Sequence, residues 1–300
     1  MSAAEVRRVA EEATIFGRIT PQQKQRLIQA LQEQGAYVAM IGDGVNDVLS
    51  LKTAQLGIAL QSGSQAARGV ADLVLLGDAF RALPTAFQEG QRIVNGMQDV
   101  MRLLLTRTVY ETLLIIGAAM VGAAFPITPK HNSLLGLLTV GLPPLALALW
   151  ARPGAPPRRV LHSVIHFILP AACTIALVTL PVYLAYRLTS HDVVVARSAL
   201  TFATVLCGIA LILFVEPPTR WWEGGDVYSG DWRPAILAGG MLALYVLTMF
   251  VPFARTFFGL ALLPVTDVAI IAAVVAVWAL ALRFAWRRRL FERFLGLGTG

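Results

Sequence analysis

Asp43 and Asp47, with Asn46 between them, are the residues of this 300-residue chain whose types and spacing point most directly to chemistry. They stand in Met40-Ile41-Gly42-Asp43-Gly44-Val45-Asn46-Asp47, behind an apolar run over residues 36–41 that is bounded by Gly35 and Gly42. A short apolar run between glycines reads as a buried strand of a parallel sheet, so Asp43 falls at the strand's carboxyl end, where open α/β sheets gather their ligands. A hard cation suits that place. Mg2+ takes oxygen ligands, keeps several waters and is held by one or two carboxylates plus a phosphate, a role that fits Asp43 with Asp47 beside it. Asn46, neutral and a donor, suits a phosphoryl oxygen. The competing reading of an Asp between two glycines is an ordinary turn.

The elements that must position these residues alternate as βα units. Residues 5–13 read as a short polar helix and 15–18 as a strand ending in a loop. Thr20 and Pro21 supply an N-cap and first helical residue, with Leu27, Ile28 and Leu31 at helical spacing behind them. Lys24 then lies in the first turn, either as a solvated lysine or as a point charge for a phosphoryl group. After the Asp43 loop, 47–55 reads as a helix, 57–60 as a strand, 64–71 as a helix and 72–76 as a strand. Lys52 divides between pairing with a nearby carboxylate and contacting phosphate.

Residues 42–47, followed by Leu51-Lys52-Thr53-Ala54 and Gly57-Ile58-Ala59-Leu60, resemble the hinge signature of P-type ATPases, ion pumps whose phosphorylation domain has the haloacid dehalogenase fold. Phe16-Gly17-Arg18-Ile19-Thr20-Pro21-Gln22-Gln23-Lys24 is similar to that family's segment with a phosphate-contacting lysine, and Asp72-Leu73-Val74-Leu75-Leu76 continues the likeness. The resemblance implies Mg2+ on Asp43 with Asp47 in support. It implies phosphate on Lys24, Asn46 and the Gly42 and Gly44 backbone, and ATP as the phosphoryl donor. Ile41 stands where the family usually has Thr, which removes a hydroxyl from the pocket.

Beyond residue 100 the composition changes. The whole chain is 56% hydrophobic and only 14% charged, which marks a membrane protein with a water-soluble N-terminal piece. Its net charge of +7 is explained by basic residues flanking apolar, membrane-length runs rather than by a nucleic-acid patch, which argues against nucleic acid as a partner. Cys173 and Cys207 both lie in apolar segments and read as small buried hydrophobes. The N-terminus has no apolar core and is not a signal peptide, so the soluble part is expected in the cytoplasm.

The expected organisation is an α/β haloacid dehalogenase-like partial domain over residues 1–85, followed by an α-helical six-span transmembrane bundle over 86–300. A long helix over 82–105 enters the bilayer. The spans are 100–124, 134–150, 164–186, 198–215, 235–253 and 257–282, each near the length that crosses about 30 Å of hydrocarbon. With both termini cytoplasmic in the cell membrane, the inner segments hold Arg152, Arg158, Arg159, Arg220, Arg233, Arg283, Arg287, Arg288, Arg289 and Arg293. The outer loops hold Lys130, Arg187, Arg197 and Arg255. Ten against four obeys the positive-inside rule. Trp221 and Trp222 read as an interfacial anchor, and Glu216 and Asp267 as residues near span ends.

One carboxylate, Glu111, falls well inside a predicted span. A buried acid in a bilayer marks an ion pathway by default, or it forms a salt bridge with Arg107 one helical turn earlier. In the second span, Pro143 and Pro144 remove two backbone donors, predicting either a break near Gly141 whose carbonyls can ligate a cation or a simple kink. Glu111 falls where the calcium pumps of the resembled family carry an ion-binding glutamate, and Thr108 where they carry an asparagine. Thr139 is shared with their sixth helix, whose Asn and Asp positions are Gly136 and Val140 here. The resemblance therefore implies one transported cation, calcium or another divalent ion, on Glu111, Thr108, Thr139 and main-chain carbonyls.

No Asp in the chain is followed by Lys, and none has Asp or Thr two residues later, so neither the Asp-Lys-Thr-Gly nucleophile of the pumps nor that of related phosphatases is present. The expectation is a C-terminal piece of a pump, inactive alone, whose partners are the transported cation, the bilayer and the missing N-terminal part. A non-catalytic membrane regulator is the second reading and a membrane-tethered phosphatase the third.

Overall fold

The computed structural model describes residues 3–154, 160–215 and 232–287. Arg158, Arg159, Glu216, Arg220, Trp221, Trp222, Arg288, Arg289 and Arg293 lie outside the described residues. The chain divides into two compact units, Met1–Gln88 and Glu89–Gly300.

In the first unit, helix α1 (Ala3–Glu12) precedes α2 (Pro21–Glu33), whose start is fixed by reciprocal bonds. The Gln23 N–H donates to Thr20 Oγ1 at 3.3 Å and the Thr20 N–H to Gln23 Oε1 at 2.8 Å, with Pro21 as the first helical residue. At the other end Gly35 adopts φ 86°, and the Ala36 N–H returns to Leu31 O at 3.0 Å, closing the helix where only glycine turns at no steric cost. Strand β1 (Ala39–Gly42) leads through a 3-10 turn (Val45–Asp47) into α3 (Val48–Thr53), then β2 (Leu56–Leu60), α4 (Gln65–Val70) and β3 (Leu73–Leu75). The three strands are parallel in the order β1-β2-β3, with Ile41 opposite Ile58 and Ile58 opposite Leu73. Leu51, Ala59 and Ala67 are buried between sheet and helices.

Three readings change here. Residues 15–18 form no strand: Arg18 turns at φ 55°, and the described sheet offers this segment no ladder of hydrogen bonds. The strand predicted over 36–41 begins only at Ala39, because the Val38 N–H donates to Gln55 Oε1 (2.9 Å) rather than to a neighbouring strand. Nor is that strand buried throughout: Ala39 and Ile41, which share one face, are exposed, whereas β2, the central strand, is buried at its three central residues.

The second unit is helical. Helix α5 (Ala82–Met120), whose residues from Glu89 onward belong to this unit, is one continuous helix that unites the predicted long helix and first span. The second span comprises α6 (Pro129–Leu135), a π-helical stretch (Gly136–Gly141) and α7 (Leu142–Trp150). The helix is widened rather than broken: the Leu142 N–H reaches back five residues to Leu137 O, and Pro143 and Pro144 leave carbonyls one turn earlier without donors. Helices α8 (Val160–Thr189), α9 (Val193–Val215) and α10 (Arg233–Phe250) follow. The span predicted over 257–282 is in fact two elements, α11 (Pro252–Phe258) and α12 (Val265–Arg287). Gly259, at φ 69°, ends the first, and Asp267 sits in the first turn of the second.

Among the described residues, six helices are long and apolar enough to cross a membrane. Helix α9 is their centre: 83% of its most apolar window is buried, against 22% for α12, as a helix apolar on every face requires. Its hydroxyls lie inside without cost because Ser198, Thr201 and Thr204 each donate to the carbonyl four residues back, at 2.7 to 2.8 Å.

Candidate functional site

Asp43 follows the last residue of β1, and its position is set by backbone. Asp43 O accepts the Ser64 N–H at 2.7 Å, and Ser64 in turn caps α4 by accepting from the Ala67 N–H at 3.1 Å. Gly63 makes this approach possible, since a Cβ there would stand 2.8 Å from Asp43 O. Gly63 and Ser64 were not singled out as part of the site, although Ser before a helical run is a cap signal. The Asp43 side chain is exposed and has no hydrogen bond or ion pair among the described residues.

Asp47 is the anchored member of the pair. It is 7% exposed, and its Oδ1 accepts from Lys24 Nζ at 2.7 Å while Oδ2 accepts the Gly44 N–H at 3.3 Å. Burial pushes this carboxyl up, but the Lys24 hydrogen bond and charge, with the backbone N–H groups, outweigh it and hold it below its ordinary range. Gly42 is needed for the same reason: a Cβ on it would lie 2.9 Å from Asp47 Cγ. Asn46 is exposed in the 3-10 turn. Lys24, Gly42, Gly44 and Asp47 are therefore brought together, with Asp43 and Asn46 on the same loop. Lys52 is exposed on α3.

The donor set fits a hard cation. One free carboxylate and a second fixed nearby supply oxygen ligands, and no group of three or more His, Cys, Asp or Glu side chains among the described residues forms an all-protein cage. Such a set suits an ion that keeps its waters and shares a phosphate.

In the helical unit, Glu111 accepts from Arg107 Nε at 2.6 Å, with side-chain exposures of 19% and 13%. The guanidinium also donates to Asn132 O at 2.8 Å and to the Asn132 side chain. Gly136 makes room for it, since a Cβ there would lie 2.9 Å from Arg107 Nη1. The ion pair that competed with the transport reading is thus present, extended by Asn132, which was not anticipated. Thr108 is exposed and donates to Leu104 O at 3.0 Å. Thr139 is buried, donates to Leu135 O at 2.7 Å, and packs its side chain where a Gly208 Cβ would be. No hydrogen bond joins Glu111, Thr108 and Thr139 to one another.

A second charged group was missed. Asp99, 5% exposed, accepts from Arg102 at 3.2 Å, and Arg102 also donates to Ser163 Oγ (3.0 Å) and Val215 O (3.3 Å) beneath the Phe167 ring. Its signal was the acid–base spacing of three on one helix.

Residues 3–55 match the family of haloacid dehalogenase-like hydrolases. The chain is 34% identical over 262 residues to the calcium-transporting ATPase CtpE of Mycolicibacterium smegmatis, covering 83% of this chain and 32% of that protein. It is 33% identical over 299 residues to CtpE of Mycobacterium tuberculosis, covering 95% and 36%. It is 38% identical over 134 residues to the endoplasmic reticulum-type calcium-transporting ATPase 3 of Arabidopsis thaliana, covering 45% and 13%. The chain thus spans about a third of the length of the two CtpE relatives.

Proposed function

We propose that this chain, a relative of the P-type cation-transporting ATPases that matches their C-terminal part, is the portion of an ATP-driven pump that holds Mg2+ and phosphate at residues 42–47 and the transported ion at Glu111. The observation that carries the reading is the 2.7 Å Lys24–Asp47 pair beside Asp43 at the end of a parallel strand. Asp43 keeps a free carboxylate for the metal. Asp47 holds Lys24 at a fixed place, so an entering phosphoryl group meets a positioned cation, and the exposed Asn46 adds a neutral donor. Bound Mg2+ supplies charge neutralisation on the phosphoryl oxygens; positioning is the chain's own contribution.

In this reading the nucleophile and the nucleotide site lie in the two thirds of the relatives that this chain does not match, and the chain alone forms no phosphoenzyme. The helical unit is a multi-pass domain of the cell membrane with both termini cytoplasmic. A single divalent cation, calcium first, is carried, because Gly136 and Val140 offer no side-chain oxygen for a second. The Arg107–Glu111 pair favours a second reading, a non-transporting membrane regulator, since it already neutralises the acid.

The test uses the purified chain in lipid nanodiscs. Mn2+ with inorganic phosphate, followed by electron paramagnetic resonance, is expected to bind at least tenfold more weakly in Asp43→Asn, and radioactive calcium to lose binding in Glu111→Gln. Unchanged Mn2+ affinity removes the metal assignment; unchanged calcium binding removes Glu111 and leaves the regulator.

A further inference from the structure

A cavity of about 460 Å3 opens where the first turns of α6 and α9 meet the end of α11, lined by Thr128, Lys130, His131, Arg197, Phe258 and neighbouring apolar groups. Its walls are mostly carbon, from Pro129, Val194 and Phe258, yet two cations from helices far apart in sequence converge on it. Arg197 Nε donates to Phe125 O at 2.9 Å, which fixes the guanidinium, and Lys130 is exposed. Neither takes part in an ion pair among the described residues. His131 does not balance them: its ring is held between Thr128 Oγ1 (3.0 Å) and Gly259 O (3.3 Å). The nearby carboxylate, Asp192, spends an oxygen on the Val194 N–H at 2.7 Å and does not line the cavity.

Lys130 and Arg197 each stand within the first five residues of a membrane-span candidate, Pro129–Trp150 and Val193–Val215. Two unneutralised cations at that depth, over an apolar hollow, complement a molecule with an anionic head and a hydrocarbon body. An inorganic anion would satisfy the charges but leave the apolar wall wetted.

We propose that this cavity binds an anionic phospholipid, its phosphate between Lys130 and Arg197 and its upper acyl carbons against Pro129, Val194 and Phe258. The leaflet that supplies it rests on the orientation proposed above; the charge and shape argument does not. The experiment presents the full chain, in detergent, with equal phosphatidylglycerol and phosphatidylcholine and counts retained lipid by native mass spectrometry. At least fivefold enrichment of phosphatidylglycerol is expected, falling to about parity in Lys130→Gln/Arg197→Gln and persisting in Arg187→Gln, which removes an outer charge elsewhere. Val194→Trp, which fills the hollow and keeps both charges, should also lower retention and serves if the double variant fails to fold. Equal retention of the two lipids, enrichment that survives both variants, or displacement by millimolar inorganic phosphate would overturn the proposal.

Discussion

Asp47 and Asp43 are four residues apart and of the same type, yet the fold gives them opposite conditions. Asp47 is buried against a lysine from another helix, while Asp43 is exposed with its carboxylate unengaged. Removing Lys24 leaves a buried carboxylate with only backbone donors. Lys24→Met is therefore expected to destabilise the β1–α3 loop by about 1–3 kcal/mol, read as faster hydrogen exchange over residues 39–53 in the intact chain. The pH dependence follows in sign. A carboxyl that ionises lower when folded contributes stability that is complete above its unfolded pKa, about 3.9, and loses it as pH falls through the lower folded value. With the intrinsic pH dependence of amide exchange divided out, protection of this segment should stay constant down to about that pH and fall below it, and Lys24→Met should shrink that fall, because losing the partner that lowers the folded value narrows its gap from the unfolded one. The carboxylates, Lys24 and the glycines were legible in the sequence because each type has few reasons to occur at that spacing. That Lys24 meets Asp47 was not, since their approach depends on how α2 packs beside the loop.

At the level of elements, the second span shows how a local rule and a tertiary one combine. Pro143 and Pro144 dictate that carbonyls one turn earlier lose their donors, and that much follows from proline alone. Whether the helix then breaks, kinks or widens depends on its neighbours. Here Arg107 lies against Gly136 at the start of the π-helical stretch, and Thr139 packs into the gap left by Gly208 on α9. Gly208→Val places a branched side chain into Thr139, and overpacking of this kind costs about 1–3 kcal/mol. A lower melting temperature of the detergent-solubilised chain is expected, larger than for Gly239→Val, whose Cβ meets open space. Equal shifts for the two would show that the α9 contact does not constrain the span. The split of residues 257–282 into α11 and α12 is a related case, where apolar composition hid a left-handed Gly259.

At the scale of the molecule, one sheet-bearing unit and one bundle of membrane-length helices occur in the same chain. The proposed orientation is tested by single cysteines in a background with Cys173 and Cys207 replaced by Ala. Ser62→Cys and Arg233→Cys should label only from the inner side of sealed vesicles, and Ser190→Cys only from the outer side; the reverse pattern would invert the topology. The sequence by itself determined the two-part organisation, the six apolar segments and the motif carrying Asp43, Asn46 and Asp47, because hydrophobic runs and glycine-flanked carboxylates are local properties. Tertiary structure alone decided that one face of β1 is exposed, that Glu111 is paired through Arg107 to Asn132, and that Lys130 and Arg197 share a hollow. Each of those depends on which distant groups compete for one charge, hydrogen bond or surface, and a linear pattern carries no record of that competition.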